Sequence, residues 1–222
     1  MATSRSVSAE TVVPLDAHRR APDRHGSGGY DIRLVRTAAQ HGAVNSLVRR
    51  MYSWRGYSLQ PSAYLPGDLN RMTLAVWQDK EALATLTIGR DSPEGLLADG
   101  LYAGELAGLR QPGRLVCEVT RLAVRPDFSA PDMLNALFYT ALLYGKAAYR
   151  ASDAVIEVNP RHVRFYEHRF GFRQIGKLRQ CPRVNAPAVL LHQTLDSLKV
   201  HDAGLDFLRD AWTIDPPLAA AS

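Results

Sequence analysis

The stretch at 115–133, LVCEVTRLAVRPDFSAPDM, decides how the chain is read. It opens as an apolar strand of Leu115, Val116, Cys117, Val119, Leu122 and Val124, interrupted by Glu118, Thr120 and Arg121. It then passes through Arg125, Pro126, Asp127 and Phe128 towards a helix, with Ser129 as N-cap and Pro131 in the first turn. A carboxylate and a guanidinium in a buried strand are costly unless they are paired or used. A strand that feeds a helix N-terminus also offers backbone N–H groups to a phosphate or a carbonyl oxygen. Chemistry and ligand cradle are therefore expected a few residues apart. Strict alternation puts Glu118 and Arg121 on opposite faces. Only a bulge between them brings both to one face.

Working outward, the order is a β-α-loop-β-β-insert-β-α-β-α-β chain. Asp31 to Arg36 alternates like a half-buried strand. Thr37-Ala38-Ala39-Gln40 is a capping-box pattern. Behind it Val44, Leu47, Val48, Met51 and Trp54 recur at helical spacing, which predicts a helix to about Trp54. Residues 56–70 suit a loop. Residues 72–77 and 82–88 read as two strands of a hairpin turning at 78–81. Residues 91–113 carry Gly95, Gly100, Gly104, Gly108, Pro112 and Gly113 with a short helix-compatible piece, and read as an insertion outside the core. After the central strand, Leu134, Leu137, Phe138, Ala141 and Leu142 mark a long buried helix. Residues 154–158 form a strand ending at Asn159-Pro160, followed by a helix over about 161–169 capped by Gly171. Strand pieces follow Phe172, and 188–194 close the sheet. An α/β or α+β sheet with helices on both faces fits this order.

The first 29 residues lack sustained periodicity and read as a mobile tail, leaving one domain over 30–222. Leu198, Leu205, Leu208 and Trp212 suggest a last helical segment on the outside. With 222 residues and 46% hydrophobic composition, the chain is long enough for one full core. No apolar run is long enough to span a bilayer. The N-terminus has no apolar signal core, so a cytoplasmic protein is expected. Cys117 and Cys181 read as free thiols with no metal-type spacing. The net charge of +5 is modest, but residues 161–183 hold seven Arg or Lys against one acid, Glu167. Such a run suits an anionic partner: nucleic acid, a phosphorylated cofactor or an acidic protein. No helix-turn-helix, zinc or aromatic RNA-binding pattern accompanies the charge, which ranks nucleic acid lower.

Residues 158–176, VNPRHVRFYEHRFGFRQIG, resemble the closing motif of the GNAT superfamily of N-acyltransferases. In that motif an Asn ends the fifth strand, a helix carries a Phe-Tyr pair, and Gly-Phe begins the next strand. Asn159, Phe165, Tyr166, Gly171 and Phe172 hold those places. A narrower resemblance is to N-acyl amino acid synthases of the long-chain N-acyl-tyrosine synthase type, and more distantly to acyl-homoserine lactone synthases. It is carried by 49–57 (RRMYSWRGY), 95–99 (GLLAD) and 118–124 (EVTRLAV), and spans roughly 30–195. The resemblance implies a GNAT-type mixed, mainly antiparallel twisted sheet. It also implies transfer of a fatty acyl group from the pantetheine thioester of acyl carrier protein to an amino acid's α-amine, without metal or redox cofactor.

The family places its acid at Glu118, the expected base, and typically has a bulge in this strand. Arg121 is expected to hold the substrate carboxylate or orient the acids. Tyr166 is the superfamily's candidate for protonating the leaving thiolate. Ala123, Val124, Phe128, Ser129, Ala130 and Asn159 are expected along the pantetheine. Arg50, Trp54, Arg55 and Asp99 are expected near the amino acid, with Trp54 as core or acyl-pocket wall. Arg161, Arg164, Arg169, Arg173, Lys177 and Arg179 are expected to dock the acidic carrier. Acetyl-CoA-dependent members carry an Arg/Gln-x-x-Gly-x-Gly/Ala loop after the central strand. Here 125–130, RPDFSA, lacks both glycines and is less suited to close approach of a pyrophosphate. That favours the carrier protein while leaving CoA open. The rival readings are a CoA-dependent acetyltransferase, a lactone-forming signal synthase and a non-catalytic carrier- or lipid-binding module.

Overall fold

A computed structural model describes residues 30–57, 68–128 and 131–196. The expected N-terminal tail, the C-terminal helical segment and the pair Ser129 and Ala130 lie outside the described residues. Strands β1 (Asp31–Leu34), β2 (Arg71–Gln78), β3 (Glu81–Arg90), β4 (Val116–Val124), β5 (Asp153–Val158), β6 (Arg173–Gln174), β7 (Arg179–Cys181) and β8 (Ala186–Thr194) alternate with helices α1 (Ala38–Trp54), α2 (Asp99–Leu109), α3 (Pro131–Ala148) and α4 (Val163–Phe170). The strands form a mixed sheet in the order β1-β2-β3-β4-β5-β8-β6, with β7 also paired to β8. Its pairs are antiparallel except β4 with β5. A parallel pair needs a crossover, and α3 supplies it. Among the described residues no helix is long and apolar enough to cross a membrane.

Side-chain alternation assigns the layers. Leu74, Val76, Leu86, Ile88, Cys117 and Val119 join one core cluster with Met133, Leu137, Phe138, Ala141 and Leu142 of α3 and Tyr166 of α4. On the other face Ala75, Trp77, Ala82 and Ala123 pack against Val44, Leu47, Val48 and Met51 of α1. Thr37 opens α1 with both halves of the expected capping box: its Oγ1 accepts from Gln40 N at 3.2 Å, and Gln40 Oε1 accepts from Thr37 N at 3.0 Å. At the other end the spacing misleads. Trp54 is in phase with Met51 but 66% exposed, because the apolar patch beneath α1 ends before it.

The expected insertion at 91–113 is part of the core instead. Leu96, Ala98, Tyr102 and Leu106 are buried against Val116, Val155 and Leu190 on the α1 side of the sheet. The Tyr102 hydroxyl donates to the carbonyl of Ala188 at 2.8 Å. The segment is stapled by Arg110, which bonds Asp91 at its start (2.7 Å) and Asp99 in the first turn of α2 (2.6 Å). Glycine-rich composition concealed this, because small residues face outward while four large or small apolar ones face the sheet. Gly171 takes φ +74° and closes α4, donating to the Glu167 and Tyr166 carbonyls as the sequence predicted.

Candidate active site

β4 changes face in its middle. Val116 packs with α2, whereas Cys117 and Val119 pack with α3. Beyond them the phase is inverted: Leu122 and Val124 pack on the α3 side and Ala123 lies under α1. The inversion is a bulge. Thr87 pairs with Thr120 but Thr85 pairs with Ala123, so β4 carries one residue more than β3. Arg121 absorbs it with φ +54°, and its guanidinium donates to Asn45 Oδ1 of α1. Glu118 and Arg121 consequently share a face and line one cavity.

The parallel ladder of β4 and β5 runs only from Val116 with Asp153 to Val119 with Ile156. Past that point the strands part, and a cavity of about 180 Å³ opens between them. Val119, Thr120 and Arg121 form one wall and Glu157, Val158 and Asn159 the other. Tyr52, Tyr57, Leu97 and Arg183 close it from above.

Glu118 is 2% exposed and accepts two backbone hydrogen bonds from the turn leading into α2. Leu97 N donates to Oε2 at 2.8 Å and Ala98 N to Oε1 at 3.0 Å. Burial pushes its carboxyl up to about 7, against the pull of the Leu97 N–H and the Arg183 guanidinium. A carboxylate that titrates near neutrality, on the wall of a cavity, has the property a general base needs. Burial raises the hydroxyl of Tyr166 well above the usual phenol range. Its ring meets Phe138, Phe165, Phe170 and Phe172 in tilted and edge-on contacts and does not form the cavity wall with Glu118. Tyr52 and Tyr57 stand on that wall instead.

Several expected positions are not brought to Glu118. Arg50 lines a separate cleft with Lys80 and Arg125. Trp54 is exposed, and the Arg55 guanidinium lies 5.8 Å from its ring centre. Asp99 is engaged by Arg110 and the Leu96 N–H; the Arg110 hydrogen bond holds its carboxyl below the usual range. Ala123 is buried under α1, while Val124 and Phe128 pack against the α3 cluster. Of the expected pantetheine contacts among the described residues, Asn159 lies on the cavity wall, and it also caps the 3-10 turn Pro160–His162 through Arg161 N. In the basic run, Arg179 is structural: it pairs with Glu105 at 2.9 Å and sits 4.6 Å over the Tyr102 ring. Arg161 bonds Tyr57 and His162, and Arg169 bonds Asn135. Arg164, Arg173 and Lys177 are exposed, with no ion-pair partner among the described residues. The sequence reading missed Glu157 and Arg183 as site residues. Glu157 carried a signal, an acid inside the apolar run 154–158, whereas Arg183 carried none.

This fold, a mixed sheet whose one parallel pair parts beside a buried acid, is that of the GNAT N-acyltransferases. Solved structures share the fold: an acyl-CoA N-acyltransferase from Pseudomonas aeruginosa (TM-score 0.53, 15% identity, 74% of this chain and 98% of that one) and the AHL synthase LasI (TM-score 0.52, 14% identity, 77% and 92%). The chain belongs to the family described as N-acyl amino acid synthase FeeM, whose sequence profile matches residues 43–194. It is similar to the structure of FeeM, an N-acyl amino acid synthase from uncultured soil microbes, with a TM-score of 0.72 and 27% identity over 77% of this chain and 94% of that one. No curated protein sequence matches. The protein is therefore an N-acyltransferase enzyme.

Proposed function

We propose that the enzyme moves a long-chain fatty acyl group from the thioester of acyl carrier protein to the α-amine of an amino acid. The observation that carries this reading is the placement of Glu118 and Arg121 on one cavity beside the parting of β4 and β5. The pantetheine arm carries amide groups in an extended chain and would add to β4 as an extra strand. Its thioester carbonyl would then lie beside Glu118. The acceptor arrives as an ammonium ion. Glu118, or a water bound to it, takes the proton and frees the amine to attack. The tetrahedral intermediate collapses with loss of the thiolate, which takes a proton from a tyrosine hydroxyl, Tyr52 on the cavity wall or Tyr166 beside it, and the second proton shed by the new amide nitrogen restores that hydroxyl. Arg121, on the same cavity, would hold the acceptor's carboxylate.

The loop after β4 favours the carrier over CoA. The Arg125 guanidinium is tied to Asp127 and Glu81, and the Phe128 N–H donates to the Arg125 carbonyl at 3.1 Å. A pyrophosphate there would meet the Asp127 carboxylate and a Phe128 amide already in use. A phosphopantetheine arm with a single phosphate, held mainly by its carrier, makes no such demand. A cytoplasmic location belongs with this donor. Arg164, Arg173 and Lys177, next to exposed Phe165, Ile175 and Leu178, offer an acidic carrier charge and apolar contact. Initial rates with matched long-chain acyl carrier protein and acyl-CoA test the donor. The reading expects a much higher kcat/KM for the carrier. Equal or better use of acyl-CoA would contradict it.

A further inference from the structure

Arg183 follows β7 and reaches back across the cavity, and its two ends make different contacts. One guanidinium nitrogen donates to the Leu97 carbonyl at 2.8 Å, and another donates to Glu157 at 2.5 Å. The Leu97 N–H, in turn, holds Glu118. Glu157 lies on β5, two residues beyond Val155, the register partner of Glu118. The contacts thus form a ring: Glu118, the Leu97–Ala98 turn, Arg183, Glu157, and back through the β4–β5 ladder. We propose that Arg183 is a positioning residue for Glu118, pinning the turn whose two N–H groups hold the carboxylate, with Glu157 as its anchor. The proposal rests on Glu118 being the base.

The same ring controls the charge around Glu118. Arg183 favours its ionised form and Glu157 opposes it. The other groups facing this point are Arg71 from β2, Arg121 from β4, Cys181 from β7, and Tyr52 and Tyr57 above. Arg183 itself is tied to Glu157 and Glu118 by charge, and the Cys181 thiol donates to Glu157. Neutralising either member of the Arg183–Glu157 pair leaves the other uncompensated beside Glu118. The two neutralisations must therefore act in opposite directions.

The experiment uses the full chain and three variants, Arg183→Gln, Arg183→Lys and Glu157→Gln. The Glu118 carboxyl is titrated by carbon-13 NMR, assigned with Glu118→Gln, and the pH profile of kcat/KM is measured with long-chain acyl carrier protein. Arg183→Gln is expected to move the Glu118 titration up, and Glu157→Gln down, each by on the order of half a pH unit or more. Arg183→Lys keeps the charge but loses the fork: its titration should stay near wild type while the Leu97 and Ala98 amides exchange faster with solvent. Titrations that do not move, or move the same way in both neutralising variants, overturn the proposal. Opposite shifts in the NMR titration without matching shifts in the rate profile would leave the ring in place and reject Glu118 as the base.

Discussion

Glu118 and Arg121 are three residues apart on one strand yet open on the same cavity, because Arg121 adopts φ +54° and leaves the β3 ladder. Left-handed backbone costs a non-glycine residue roughly 1–2 kcal/mol. The Asn45 contact and the packing of Ala123 under α1 hold that conformation in place. Arg121→Gly removes the strain together with the charge. It should keep the melting temperature within a few degrees while losing most activity, and calorimetry beside an amide-formation assay checks both. A large fall in melting temperature would make Arg121 a structural residue.

Asn45→Ala leaves Arg121 in place but removes a partner of its guanidinium. If Arg121 holds the acceptor carboxylate, the KM for the amino acid should rise several-fold while kcat changes little. Steady-state kinetics with varied amino acid gives the answer directly.

The raised carboxyl of Glu118 has a signed consequence for stability. Its ordinary value is 4.5 and its value in the folded protein is about 7. The folded state therefore favours the protonated form. Relative to Glu118→Gln, wild type should be most stable below pH 4.5 and lose stability as pH rises towards 7, by on the order of 3 kcal/mol in all. Denaturant unfolding of both proteins across pH 4 to 8 measures the difference. A difference that is flat with pH would place the Glu118 titration elsewhere.

α2 should behave as core. Tyr102→Phe removes hydroxyl bonds to the carbonyls of Ala188 and Lys177, at 2.8 and 3.2 Å, and should cost about 1–2 kcal/mol. Gly176→Ala should cost more, about 1–3 kcal/mol. A Cβ there would stand 2.7 Å from both the Tyr102 ring and Leu190 Cβ, so one must move. Because Tyr102 sits one turn after the Leu97–Ala98 peptide, Gly176→Ala should also lower activity. Denaturation curves and initial rates read the two effects.

Charge reversal of Arg164, Arg173 and Lys177 together should raise the KM for acyl carrier protein and leave rates with a short pantetheine thioester unchanged. Raising the salt concentration should mimic it in wild type. An equal loss with both donors would mean the substitutions had disturbed the cavity itself.

Much of this was legible in the sequence. The capping box at Thr37, the strand–helix–strand order around β4, the Gly171 cap and the position of Glu118 all follow from local chemistry, and local chemistry is what periodicity and turn rules report. The bulge was readable only as a requirement, since nothing in Val119 to Leu122 shows which residue leaves the ladder. The misjudged positions depend on what lies across space. Trp54 keeps its helical phase but has no sheet beneath it, and 91–113 looks like a loop until Tyr102 and Leu106 find Val155 and Leu190. Arg179 and Arg183 resembled surface charge because Glu105 and Glu157 are far away in the chain. A sequence does not show which partner a long side chain will meet.

The most direct measurement incubates wild type and Glu118→Gln with a long-chain acyl carrier protein and a pool of amino acids, and follows amide formation by mass spectrometry. The account predicts an N-acyl amino acid from wild type and a rate lowered roughly a hundred- to ten-thousand-fold in Glu118→Gln. An amide formed equally well by both proteins, or no amide from the carrier thioester at all, would contradict it.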